Sequence, residues 1–197
     1  MEQSLEVSSV IQSEITNCVD ALRRGHVIVY PSDTIWGIGC DLLNESAVSR
    51  IYEIKERSRE KPLLLLVDSI AMLKSCIKSI HPRVETLLTH HTKPLTIIYE
   101  ASAEVPPYLL NEQQTIGVRV VSDPFCASLI REIKKPLIST SANIAGEPYP
   151  KNFDEISPKV LDLADYVVDR SLDRPESQEP SVIATYNKKG ELDFIRL

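Results

Sequence analysis

The sequence predicts a single α/β (α+β) domain built on a mixed β-sheet. Segments with helical spacing of apolar residues alternate with short apolar runs of strand length, the pattern of helices flanking a sheet. Several of those runs adjoin hairpin-like turns, which favours a mixed sheet over a purely parallel one. With 197 residues, 43% of them hydrophobic, the chain suffices for one sizeable core, and no repeat or linker divides it. One domain is expected over 1–197, without a separate C-terminal domain.

The first helix is expected over 10–24, where Ile11, Ile15, Cys18 and Leu22 recur at helical spacing, Ser9 and Gln12 form a capping-box pattern and Gly25 supplies the stop. The run 27–30 ends at Pro31 and reads as a buried strand followed by a loop that could carry chemistry. A helix over 44–56 offers Ala47, Val48, Ile51, Tyr52 and Ile54 for packing, and charged residues then crowd up to Pro62. The run 63–67 is a buried strand. Met72, Leu73, Cys76, Ile77 and Ile80 mark a helix, and Val84, Leu87 and Leu88 a shorter one after Pro82. Strands follow at 95–99 and 115–121. Asp123-Pro124 opens a helix with Phe125, Cys126, Leu129, Ile130 and Ile133 on one face. The run 137–140 is a strand leading into a loop, and 166–168, 181–186 and 192–196 are late strands, the last two joined by a turn at 187–190. Between them, 169–180 is polar and rich in charge and proline, the composition of a mobile surface loop.

A net charge of −6 argues against a surface devoted to nucleic acid, while leaving room for a local basic pocket. The four cysteines form no CxxC pair and no Cys/His zinc spacing, so they read as reduced, buried thiols. His90-His91 reads as a pair of loop histidines, because adjacent side chains diverge and no carboxylate cluster follows; no metal-ligating residues are expected. The N-terminus lacks a basic and an apolar leader region, and the apolar runs are too short to span a membrane. A cytoplasmic protein without membrane contact is expected.

Four of the six glycines, Gly37, Gly39, Gly117 and Gly146, fall at strand ends or in loops, where glycine admits a ligand or simply makes a turn. The segment 30–41, YPSDTIWGIGCD, sets Ser32, Asp33 and Thr34 just past a buried strand. Lys55, Arg57, Arg59 and Lys61 recur at every second residue, and Pro62 biases Lys61 away from helical geometry. They form either a polyphosphate clamp or a solvated charge run interleaved with Glu53, Glu56 and Glu60. In TIGVRV, Thr115, Gly117 and Arg119 share one side of a strand. STSANIAGEP, 139–148, supplies hydroxyls and an amide directly after an apolar strand, suited to binding a nucleotide or to an Asx/ST turn. No Walker loop, GxGxxG or GxSxG occurs.

Together VIVYPSDTIWGIGCD, Lys55-Glu56-Arg57 with the following KPL, KPLT at 93–96, TIGVRV, STSANIAGEP, Pro180-Ser181 and Ile195-Arg196 resemble the YrdC/YciO family and, within it, its threonylcarbamoyl-AMP synthases. The resemblance implies a YrdC/RibB-like domain, with a twisted mixed sheet and flanking helices around a large basic cavity. It implies formation of threonylcarbamoyl-adenylate and pyrophosphate from ATP, L-threonine and bicarbonate, with magnesium bridging phosphate oxygens. By position, Lys55, Arg57, Lys61, Thr115, Ser141, Asn143 and Arg196 resemble ATP contacts, and Thr34, Arg119 and Ser139 threonine contacts. Lys55 and Arg57 are expected to stabilise charge developing on the phosphates. Implied partners are a downstream tRNA threonylcarbamoyl-transferase complex and tRNA or double-stranded RNA. Leu66 stands where some relatives carry a threonine-contacting histidine, and Tyr149 where some carry a small hydroxyl residue. Thr92-Lys93-Pro94 replaces the more usual PGP, and Val121 a proline. Those departures bear on substrate preference, and Leu66 and Tyr149 leave a YciO-like paralogue as one alternative; the resemblance, through relatives discussed as double-stranded RNA binders, implies another, an RNA-binding module without catalysis.

Overall fold

The computed structural model describes residues 2–174 and 179–196. Helix α1, Glu2–Arg23, starts ahead of the expected Ser9 cap and runs through it, so helical propensity overrides the capping-box pattern. It lies against α5, Pro124–Ile133, and the first two strands, with Ile15, Cys18, Val19 and Leu22 buried. Asp165 in turn accepts from Val27 N at 2.8 Å and Arg50 Nη1 at 2.6 Å.

Strands β1, Ile28–Tyr30, and β2, Gly37–Asp41, pair antiparallel. The second of these was expected to be loop; its two glycines mask a strand that is buried over Gly37–Cys40. Asn44 caps α2, Glu45–Ile54, by accepting from Ala47 N at 3.0 Å. Then come β3, Leu64–Val67, α3, Ile70–Cys76, and α4, Pro82–His90. His90 closes α4, with its Nδ1 2.9 Å from Thr86 O, rather than sitting in a loop.

Strands β4, Leu95–Glu100, and β5, Thr115–Val120, precede α5, which Asp123 caps by accepting from Cys126 N at 2.8 Å. Strand β6, Leu137–Ser141, helix α6, Pro158–Leu163, and strands β7, Tyr166–Val167, β8, Val182–Tyr186, and β9, Leu192–Arg196, complete the chain. Helix α6 is short and without a long apolar stripe, and its one signal in the sequence, Ser157 before Pro158, went unread.

The nine strands form one sheet in the order β7-β1-β2-β6-β3-β5-β4-β8-β9. Its ladders are parallel at β1–β7, β3–β5 and β4–β8 and antiparallel elsewhere, which is the expected mixed sheet. Leu65, Ile97, Ile116, Ile138 and Phe125 are buried within the core. The segment expected to be a mobile loop is tied down over its first half. There Arg170–Leu172 makes a 3-10 turn, Asp173 accepts from Trp36 Nε1 at 2.7 Å and Phe153 N at 3.1 Å, and Arg174 pairs with Asp123. The rest of that expectation falls partly on 175–178, outside the described residues. Among the described residues no helix is long and apolar enough to cross a membrane.

Candidate functional site

One face of the central strands opens into a cavity of about 600 Å³. Its floor is β3, β4, β5 and β6, and its walls are the β1–β2 connection, the segment after α2, and the ends of β8 and β9. Among its lining residues are four cations, Arg57, Lys61, Arg119 and Arg196, and one carboxylate, Glu60.

Arg119 sits at the centre of the floor. Strand register places it beside Leu66 on β3 and Thr96 on β4. It is 4% exposed, and such a cation needs compensation. Its Nη2 lies 3.2 Å from Asp33 Oδ1, and its Nη1 donates to Thr34 Oγ1 at 2.9 Å. Thr34 Oγ1 is 2.9 Å from Ser32 Oγ, which donates to Ile35 O at 2.7 Å. The Nε of Arg119 is buried with no hydrogen-bond partner among the described residues. Paired with Asp33 yet lining the cavity, the guanidinium brings a fixed cation to an anionic ligand held there.

The second cluster lies where the chain leaves α2. Arg57 Nε donates to Lys61 O at 3.0 Å and its Nη2 to Pro62 O at 3.2 Å, so Arg57 holds the segment carrying Lys61. Burial lowers the Arg57 pKa from its ordinary value, although an arginine keeps its charge. Across the cavity, Arg196 Nε and Nη2 both donate to Ser181 O, at 3.2 and 2.7 Å. Burial lowers its pKa as well.

Seven of the residues singled out from sequence therefore line one cavity: Thr34, Arg57, Lys61, Arg119, Ser139, Ser141 and Arg196. Lys55, Thr115 and Asn143 do not line it. Lys55, 1% exposed, spends its ammonium on Ser141 O, on Asn143 O at 2.6 Å and on Asn143 Oδ1 at 3.3 Å. Burial, with the nearby Arg57 charge, pushes its pKa down to about 7. Asn143 holds its own loop, donating to Ile144 O at 3.0 Å and Glu147 O at 2.8 Å and accepting from Ser141 Oγ at 2.5 Å. Thr115 Oγ1 accepts from Asn111 Nδ2 at 2.8 Å at the outer end of β5. Its side of the strand was legible, but not its distance from the ligand space.

Three residues went unassigned in the sequence. Thr96 and Ser181 line the cavity as a buried hydroxyl pair 2.7 Å apart. Tyr30, fully buried, donates to Ser139 Oγ at 2.6 Å. A tyrosine closing an otherwise apolar strand was the available signal, since a buried phenol needs a partner.

Known proteins resemble this chain over most of its length. The family model Sua5_yciO_yrdC, described as "Telomere recombination", matches residues 20–197. The threonylcarbamoyl-AMP synthase of Stenotrophomonas maltophilia (strain K279a) is 34% identical over 158 residues, covering 79% of this chain and 85% of the relative. The structure of P. abyssi Sua5 complexed with L-threonine superposes with a TM-score of 0.77 at 26% identity over 87% of this chain. This chain spans half of that one, 50% of its length. E. coli YciO, at 24% identity, shares the fold, with a TM-score of 0.80 over 94% of this chain and 89% of YciO. On the family match and the 34% identity, this chain belongs to the Sua5/YciO/YrdC family.

Proposed function

We propose that this protein is a threonylcarbamoyl-AMP synthase, making L-threonylcarbamoyl-adenylate and pyrophosphate from ATP, L-threonine and bicarbonate. The observation that carries this reading is one cavity with a buried Arg119 on its floor and Arg57, Lys61 and Arg196 around it. The relatives named threonylcarbamoyl-AMP synthase and the threonine complex of P. abyssi Sua5 support the choice of reactants.

The chemical problem is repulsion between anions. Threonine's amine takes up the carbon of bicarbonate with loss of water, giving a carbamate. A carbamate oxygen then bonds to the α-phosphorus of ATP while the bond from that phosphorus to the bridging oxygen breaks and pyrophosphate leaves. Arg119 and Thr34 hold the amino acid, with Arg119 on its carboxylate and Ser139 closing the same pocket. Arg57 and Lys61 offset charge on the phosphates, and Arg196 and Ser141 lie on the nucleotide side. Orientation supplies much of the remaining acceleration, without a nucleophilic side chain. Lys55 and Asn143 act through the loop they hold, and Thr115 through its hydrogen bond with Asn111 at the start of β5.

Magnesium enters as part of the nucleotide substrate. Among the described residues no group of three His, Cys, Asp or Glu side chains could hold a metal. Glu60 and the cavity hydroxyls fit an ion that keeps phosphate and water ligands. In this reading the product passes to a tRNA threonylcarbamoyl-transferase complex in the cytoplasm.

The test is mass spectrometry of the product together with pyrophosphate release. The expected result is an adenylate of threonylcarbamate whose formation needs ATP, threonine and bicarbonate together. Pyrophosphate release indifferent to threonine, or duplex RNA binding with a steep salt dependence and no adenylate, overturns the proposal.

A further inference from the structure

Ser139 lines the cavity at 6% exposure, and its hydroxyl has one neighbour that dictates how it is used. Tyr30 lies beneath it, 0% exposed, and donates its phenolic proton to Ser139 Oγ at 2.6 Å. Burial pushes the Tyr30 phenol far above its ordinary range, so it stays protonated and remains a donor. A serine oxygen that already accepts from Tyr30 has its own proton left to place. Among the described residues no other side chain bonds to Ser139 Oγ, and the open side is the cavity.

The glycines of β2 explain how the tyrosine fits. A Cβ at Gly37 would lie 3.1 Å from Tyr30 Cζ and 3.3 Å from Ser139 Oγ, and one at Gly39 would lie 3.1 Å from Tyr30 Cε1. Both glycines are register partners of β6 around this point, Gly37 with Ser141 and Gly39 with Ser139. The Gly-Ile-Gly of β2 thus leaves a slot for the Tyr30 ring under the serine, where larger residues would displace it.

We propose that Tyr30 is a positioning residue that sets Ser139 as a hydrogen-bond donor into the threonine end of the cavity. This rests on the function proposed above. Tyr30 touches no substrate and acts only through Ser139, so its effect falls on amino-acid affinity and disappears when Ser139 has no hydroxyl to orient.

Threonine-dependent pyrophosphate release by the wild type, Tyr30→Phe, Ser139→Ala and the double variant tests this, with thermal melts to confirm folding. Tyr30→Phe is expected to raise the KM for threonine roughly five- to tenfold, the worth of about one hydrogen bond. The kcat and the KM for ATP are expected to stay within about twofold. In the Ser139→Ala background Tyr30→Phe is expected to change nothing further. Equal losses in both backgrounds, a loss confined to kcat or ATP, or no effect in an active enzyme overturns the role of Tyr30 alone. A wild type that releases no pyrophosphate overturns the function, and this inference with it.

Discussion

Lys55, at the end of α2, donates its ammonium to the backbone carbonyl of Asn143 at 2.6 Å, bridging 88 residues of chain. The adjoining bond to Ser141 O and the bond from Ala145 N to Lys55 O at 2.7 Å close the bridge from both sides. Lys55 is thereby a clamp on the loop after β6, whereas Arg57, two residues on, faces the ligand space. Of the alternating cations, Lys55 builds the site, Arg57 and Lys61 line it, and Arg59 turns away to donate to Ser49 Oγ at 2.7 Å.

Replacing these two residues should give different signatures. Lys55→Met leaves two carbonyls without their donor, at a cost of about 2 kcal/mol in total and a melting temperature lower by roughly 4–8 °C. Arg57→Ala releases carbonyls that water can reach, and its melting temperature is expected to stay near that of the wild type. Arg57→Ala should lower activity by about two orders of magnitude or more, as expected for a lost charge-stabilising donor, whereas Lys55→Met lowers it through displacement of the loop after β6. Melting curves beside pyrophosphate-release rates separate the roles, and equal melting of the two variants refutes the clamp.

The pH dependence of stability follows from the same burial. The Lys55 pKa falls from 10.5 to about 7 on folding because desolvation, and after it the nearby Arg57 charge, disfavour the ammonium. Between those values the unfolded chain binds more protons at this site than the folded one, so stability at this site rises with pH across that window. Below about 7 both states are protonated and the burial penalty is felt in full. Denaturant titrations of wild type and Lys55→Met should show the wild type gaining on the variant as pH rises from 7 towards 10.5. Parallel curves reject the shift.

Arg119 joins an ion pair with Asp33 to a hydrogen bond with Thr34, using its planar fork. A lysine brings the charge without the fork. Arg119→Lys is expected to raise the KM for threonine about tenfold or more while changing the KM for ATP much less. Steady-state kinetics with each substrate varied in turn decide the matter, and a rise shared equally by both substrates contradicts the assignment of Arg119 to the amino acid.

How far the sequence could be read depended on whether the signal was local. The Asp123-Pro124 start and the apolar residues of α2 and α5 are local, and they placed those helices within a residue or two. Strand alternation identified which side of β5 carries Arg119. It could not reveal that Thr115, on the same side, ends beyond the cavity, because that depends on where β4 and β8 pair. Nor could it show Lys55 turned inward, since its partners are backbone carbonyls 86 and 88 residues away that any sequence would supply. Two glycines hid β2, whose extended form comes from pairing with β1 and β6 rather than from its own propensity.

Those glycines are not equivalent, and the difference can be measured. A Cβ at Gly39 would lie 2.2 Å from Ile138 O, a backbone atom fixed in the β2–β6 ladder. That contact is relieved only by moving the strand. A Cβ at Gly37 meets side chains at 3.1–3.3 Å, the Tyr30 ring and the Ser139 hydroxyl, which can give way by a few tenths of an ångström. Gly39→Ala is therefore expected to destabilise by about 2 kcal/mol or more, within the range for overpacking a core. Gly37→Ala should cost less stability but raise the KM for threonine, because it pushes on Ser139 directly. Denaturant unfolding and threonine kinetics on the two variants provide the comparison. A Gly37→Ala enzyme less stable than Gly39→Ala would mean that strand β6 yields more easily than the Tyr30 side chain, against the order the contacts predict.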